Sequence, residues 1–128
     1  MSIPPIRPSD GELAILRVLW SRGPATVRDV HTELSKDRDM GYTTVLKLMQ
    51  IMVEKGLVER DERARSHTYS PLQGEAETQR CLLKELLQKA FAGSRRELVL
   101  QALEAEPASA EELDDIRKML NEAKKRTS

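Results

Sequence analysis

The sequence predicts a mainly α-helical fold interrupted by one small β-hairpin. Three observations predict it. Four Ser/Thr-x-x-Glu/Asp spacings, Ser9…Glu12, Thr26…Asp29, Ser94…Glu97 and Ser109…Glu112, each precede an apolar stripe of helical period. In such a capping box the hydroxyl accepts from the N3 amide and the carboxylate reaches back to the cap amide. Helix-stopping residues, Gly23-Pro24, Gly56, Gly93 and Pro107, stand where the stripes end. Between Leu57 and Tyr69 the helical period gives way to two short extended runs around the polar stretch DERARS.

The first helix is expected from Asp10 to Ser21, with Leu13, Leu16, Leu19 and Trp20 on its buried side. A second runs from Val27 to Asp37 and buries Val27, Val30, His31 and Leu34. A third opens near Tyr42 and closes at Gly56. The first strand spans Leu57 to Arg60, His67-Thr68-Tyr69 forms the return strand, and Pro71 ends it. Short helices followed by a charged hairpin give the order of a winged helix-turn-helix, which sets a first domain at residues 1–73. Residues 74–128 are purely helical. The fourth helix carries Gln79, Leu82, Leu83, Leu86, Leu87 and Ala90 on one face. The fifth, from Arg95 to Glu104, offers Leu98, Val99, Ala102 and Leu103, and the sixth Leu113, Ile116, Leu120 and Ala123. So short a helical region cannot bury a core alone. It is expected to be the dimerisation domain, with a second copy covering part of the leucine stripe.

The third helix carries the functional signal. In GYTTVLKLMQIMVEKG the apolar residues Val45, Leu48, Met49, Met52 and Val53 recur at i, i+3, i+4, i+7 and i+8. At 100° per residue, Thr43, Lys47, Gln50 and Glu54 fall opposite them. Hydrogen-bonding side chains gathered towards a helix N-terminus are what reading base edges in a major groove requires. Tyr42, Thr43, Thr44, Lys47 and Gln50 are therefore the candidate DNA-reading residues. Arg63 and Arg65 fall in the hairpin turn, where a wing meets phosphate.

Composition narrows the classes. The 21 Lys and Arg residues balance 21 Asp and Glu, so any DNA contact comes from placed residues and not from a bulk field. Aromatics, at 3%, are too few for a single-strand stacking platform. The segment MSIPPIRPSD has no apolar leader core, and no run approaches the ~20 apolar residues that span a bilayer. A cytoplasmic protein without membrane insertion is expected. His31 and His67 lie in different elements, and His31 is expected to pack structurally. The single cysteine, Cys81, excludes an internal disulfide and a thiolate cluster. It falls opposite the leucine stripe, which reads as an inert, partly exposed thiol, with a redox sensor as the rival. No Ser/His/Asp arrangement, phosphate-cradling loop or metal-spaced triad is present. No enzyme activity, metal or cofactor is expected.

The runs PSDGELAILRVLWSRGPATVRDVHTEL, GYTTVLKLMQIMVEKGLVER and ARSHTYSPL carry a family resemblance. Leu19-Trp20, Gly23-Pro24-Ala25-Thr26-Val27, Tyr42-Thr43-Thr44-Val45, Glu54-Lys55-Gly56-Leu57-Val58 and Tyr69-Ser70-Pro71 together resemble the penicillinase repressors, over nearly the whole chain. The resemblance implies a homodimeric winged-helix repressor on palindromic, double-stranded operator DNA, with the C-terminal helices forming the dimer. In the best-known members a membrane sensor-protease triggers cleavage in the C-terminal region. The matching segment here is Val99 to Leu103, and Gln101-Ala102 stands where those members carry Asn-Phe. Ile51 stands where relatives often carry Arg or Lys. The C-terminal cysteine cluster of the copper-responsive branch is absent. Two other readings remain open from the residues: a winged-helix module that binds a protein, and a regulator relieved by a ligand or redox signal.

Overall fold

The computed structural model describes residues 7–127; residues 1–6, on which much of the leader reading rests, and residue 128 lie outside the described residues. The elements are α1 (Asp10–Arg22), α2 (Val27–Leu34), α3 (Tyr42–Lys55), β1 (Val58–Asp61), β2 (Thr68–Pro71), α4 (Glu75–Phe91), α5 (Arg95–Ala105) and α6 (Ala110–Thr127). Two compact units divide between Leu83 and Lys84, inside α4. The opening turns of α4, with Thr78 buried, belong to the first unit.

In the first unit α1 starts on a complete capping box. The Ser9 hydroxyl accepts from the Glu12 amide at 3.3 Å, and Glu12 Oε1 accepts from the Ser9 amide at 2.8 Å. Thr26 and Asp29 repeat the arrangement at α2, with both bonds at 3.1 Å. Ile15, Leu19, Val30, Val45, Met49, Met52 and Val58 form the centre of the core. The spacing of Val45, Met49 and Met52 turns one face of α3 wholly inward. On α1 the buried sector is shifted from the expected one. Ala14 and Ile15 are buried, whereas Leu13 is half-buried. The reason is that α1 packs against α2, α3 and β2, not against one neighbour. Trp20 is also only half-buried, because its indole N–H donates to the Gln73 carbonyl at 3.0 Å.

Gly23 makes the turn from α1 to α2. Its φ of +92° with ψ of −169° lies in a region open essentially to glycine alone. The chain leaves this turn extended, and Ala25 pairs with Tyr69: Ala25 N–H donates to the Tyr69 carbonyl at 3.2 Å, and Tyr69 N–H returns to Ala25 at 2.8 Å. The hairpin is thus tied to the start of α2, a link with no local sequence signal.

Two boundaries differ from expectation. Helix α2 ends at Leu34, not Asp37. There the Ser35 hydroxyl donates to the His31 carbonyl at 2.8 Å, and the next residues close as turns on Glu33 and Leu34. The hairpin lies one residue further along: Leu57 N–H still donates to the Met52 carbonyl at 2.9 Å, so β1 begins at Val58. β1 and β2 are antiparallel, from Val58 opposite Pro71 to Asp61 opposite Thr68. Pro71 ends β2, as its last residue.

The second unit comprises the later part of α4 with α5 and α6. No residue of α5 or α6 is buried. The Ser94 and Ser109 hydroxyls accept from the amides of Glu97 and Glu112, each at 3.1 Å. Among the described hydrogen bonds these two boxes lack their reciprocal half. Glu97 Oε1 instead accepts from Gln101 Nε2 at 3.2 Å. Among the described residues no helix is long and apolar enough to cross a membrane.

Candidate nucleic-acid interface

Helix α3 has two unlike sides. Val45, Met49 and Met52 are fully buried, while Tyr42, Thr43, Thr44, Lys47, Gln50 and Glu54 are exposed. The expected reading residues are therefore all exposed, with Thr43, Lys47 and Gln50 on the face opposite the core contacts. Ile51 is half-buried beside them. Gly41 precedes the helix and supplies no side-chain cap. Gly56 ends it in the left-handed region, at φ +79°. The Tyr42 ring meets the His31 ring edge-on, with centroids 5.7 Å apart and planes at 82°. His31 is not packed into the core as expected; it is half-buried, and its Nε2 lies 3.2 Å from the Ser35 hydroxyl.

The hairpin brings its charges into pairs. Asp61 receives three bonds from the Arg63 guanidinium, Nε at 3.0 and 3.2 Å and Nη2 at 2.7 Å, and one from the Arg63 amide at 3.0 Å. Those bonds and the guanidinium charge hold the Asp61 carboxyl down at about 2. Arg60 Nη2 lies 2.6 Å from Glu62, and the Tyr69 hydroxyl and Glu62 raise the Arg60 pKa further. Arg65, exposed in the same turn, has no ion-pair partner among the described residues. It lines a groove with Thr26, Arg28, Tyr42, Ser66 and His67. Arg28, Ser66 and His67 were not singled out from sequence. They come from two stretches of chain far apart in sequence, which the bridge between Ala25 and Tyr69 draws together.

The residues expected at a dimer seam are mostly open. Leu83, Leu86, Ala90, Leu103, Leu113 and Leu120 are exposed; Leu82, Leu87, Leu98 and Ile116 are half-buried. Gln101 and Ala102 are exposed within α5. Cys81 is half-buried, as a partly exposed thiol. Among the described residues no group of His, Cys, Asp and Glu is arranged to hold a metal ion.

Three helices with an exposed polar face on the third, followed by a hairpin tied back to the second, define a winged helix-turn-helix domain. The chain belongs to the penicillinase repressor family, whose model matches residues 8–122. It is 38% identical to the transcriptional regulator BlaI of Mycobacterium tuberculosis over 118 residues, 91% of this chain and 84% of that protein. It is 27% identical to the penicillinase repressor of Bacillus licheniformis, covering 92% of each chain. Its fold matches the solution structure of the DNA-binding domain of the repressor BlaI with a TM-score of 0.50 and 28% identity, over 59% of this chain and 90% of that one. It matches equally, at a TM-score of 0.50 and 26% identity, the monomeric form of Bacillus licheniformis BlaI solved in complex with the blaP half-operator, over 60% of this chain and 93% of that one. The relatives are named as regulators and repressors, a non-enzymatic class.

Proposed function

We propose that this chain is a sequence-specific transcriptional repressor that binds a palindromic operator as a homodimer. The observation that carries the reading is the two-sidedness of α3: a fully buried apolar face fixes the helix, and Thr43, Lys47 and Gln50 stand bare on the other. In this reading Tyr42, Thr43, Thr44, Lys47 and Gln50 enter the major groove, and the hairpin meets the backbone. The related BlaI complex with a half-operator supports it.

The dimer rests on exposed leucines. Leu86 is 50% exposed on α4, and Leu113 and Leu120 are 44% and 59% exposed on α6, a helix that buries nothing of its own. Leaving such a patch in water forfeits about 25 cal/mol per Å² of apolar surface. Residues 74–128 are thus the dimerisation domain of this reading and residues 1–73 the DNA-binding one. Two-fold pairing then demands a pseudo-palindrome with half-sites a helical turn or a multiple apart. Relief through a membrane sensor-protease system would cut at Gln101-Ala102. That pair lies inside α5, so the helix must unwind locally before a protease can engage its backbone. A repressor of this kind works where the chromosome is, in the cytoplasm.

The test is selection of bound duplexes from a random pool, then titration of the recovered sequence at several salt concentrations, with sedimentation of the free protein. A recovered pseudo-palindrome, affinity falling steeply with salt and a dimer at micromolar concentration are expected. A wild-type monomer at that concentration with tight operator binding would overturn the architecture. Binding of a protein with no duplex selected would favour the protein-interaction reading.

A further inference from the structure

We propose that Arg28 of α2 and Arg65 of the hairpin turn grip one and the same backbone phosphate, in the groove they line together with Tyr42 and His67. The inference rests on the DNA-binding reading above and deepens it by naming a contact pair from two separate elements.

The charge pattern of the surface leads to it. Of the three arginines in and beside the hairpin turn, two are already neutralised. Arg63 is held by Asp61 through both its side chain and its amide. Arg60 is held by Glu62 at 2.6 Å. Arg65 and Arg28 are different: both are exposed, neither side chain has an ion-pair or hydrogen-bond partner among the described residues, and both line the same groove. No acidic side chain lines that groove; its other polar walls are Thr26, Tyr42, Ser66, His67 and Tyr69, all able to donate. Two unpaired guanidiniums around a concavity of neutral donors form a built anion site, since guanidinium forks match phosphate oxygens and gain little from competing partners here. The source of the phosphate follows from position. Tyr42 belongs to the groove and also opens α3, whose exposed face begins one residue later. A phosphate in the groove is therefore one that flanks the bases read by Thr43 and Lys47. The contact fixes where α3 enters, and it couples hairpin and helix to a single point on the DNA.

Single methylphosphonate replacements, walked along the operator duplex, test this. Each replacement removes one backbone charge. With wild-type protein, one position per half-site near the bases contacted by α3 should weaken binding about ten-fold. Arg28→Ala and Arg65→Ala should each weaken binding to the unmodified duplex by a similar factor, and removing both guanidiniums together should flatten the salt slope by about 0.9 per half-site, the share of one phosphate. Both should then become less sensitive to replacement at that one position while keeping full sensitivity elsewhere. Arg17→Ala, on the exposed side of α1, should behave as wild type throughout. Unchanged thermal midpoints for the three variants would show that folding is intact. If Arg28→Ala and Arg65→Ala lose sensitivity at different phosphates, or neither loses it, the shared grip is wrong although the DNA-binding reading stands. If wild type shows no salt-dependent duplex binding at all, the broader reading fails first. Saturable binding of inorganic phosphate in the groove at low millimolar concentration, with no effect of any methylphosphonate, would point to a free anion and overturn the backbone contact.

Discussion

Lys55 donates from Nζ to Glu12 Oε1 at 2.8 Å, so the last residue of α3 is joined to the first turn of α1. The carboxylate is 1% exposed and the lysine side chain 39%. The same Oε1 accepts from the Ser9 amide, so one oxygen serves both the helix cap and the interhelical bond. Burial pushes the Glu12 carboxyl up, but the bonds from Lys55 and Ser9, with the lysine charge, outweigh it and hold the group below its ordinary range.

Lys55→Ala should cost about 1–3 kcal/mol in urea unfolding, because it leaves a buried carboxylate without its counter-ion, held by the Ser9 bond alone. Solvent reaches the lysine, so the loss stays short of the full penalty for breaking a wholly buried pair. The pH dependence has a definite sign. The folded-state pKa of Glu12 lies below its unfolded value, so its contribution is present above about pH 4.3 and is lost as pH falls through the folded pKa. In Lys55→Ala the lysine bond and charge are gone, so the Glu12 carboxyl should titrate higher than in the wild type and its share of the acid loss should shrink. A carboxyl titration by NMR that leaves Glu12 unmoved in the variant would contradict this.

Gly23→Ala should destabilise the fold by about 1–3 kcal/mol through backbone strain alone. An added methyl would meet no atom within 4 Å, while φ is +92°. The measurement is the thermal midpoint. A variant as stable as wild type would mean that the turn relaxes without disturbing the pairing of Ala25 with Tyr69.

Asp61→Asn should release Arg63 and strengthen duplex binding. One freed guanidinium within reach of phosphate steepens the salt slope by about 0.9 per half-site. In the reverse experiment, Arg63→Ala should lift the Asp61 titration from about 2 towards the ordinary carboxylate range. An unchanged slope in Asp61→Asn would place Arg63 beyond the reach of the backbone.

Lys47→Ala and Gln50→Ala should each cost about 1–3 kcal/mol of operator affinity where they contact base edges. Both side chains are exposed, so the unfolding midpoint should hold. Affinity untouched by both changes would move recognition to another surface.

Leu86→Asp should leave the folded monomer intact, since Leu86 is 50% exposed there, and should dissociate the dimer. A carboxylate buried without a partner in the seam costs several kcal/mol, roughly three or more. Operator affinity should fall with it, although no DNA-contacting residue has changed. Sedimentation and operator titration of the same samples provide the check, and a variant that stays dimeric would exclude this stripe from the seam.

Much of this protein was determined by local sequence. Ser9, Thr26, Gly23-Pro24 and Gly56 set helix ends through bonds that span three or four residues, so their chemistry is readable in the chain itself. The stripe Val45, Met49, Met52 decided which side of α3 is bare, because helical period converts spacing directly into direction. What depended on distant partners could not be read. The buried sector of α1 follows from its having three neighbours, which brought Ile15 inward and left Leu13 at the edge. The turn arginines look alike in sequence, yet the folded hairpin pairs Arg63 with Asp61 and leaves Arg65 open. Glu12 and Lys55 are 43 residues apart, and only the crossing of α1 with α3 makes one the counter-ion of the other. Arg28 and Arg65 share a groove because Ala25 pairs with Tyr69, a backbone contact that carries no side-chain code. Caps and periods are properties of a few neighbouring residues; charge pairing and shared grooves are properties of the packed chain.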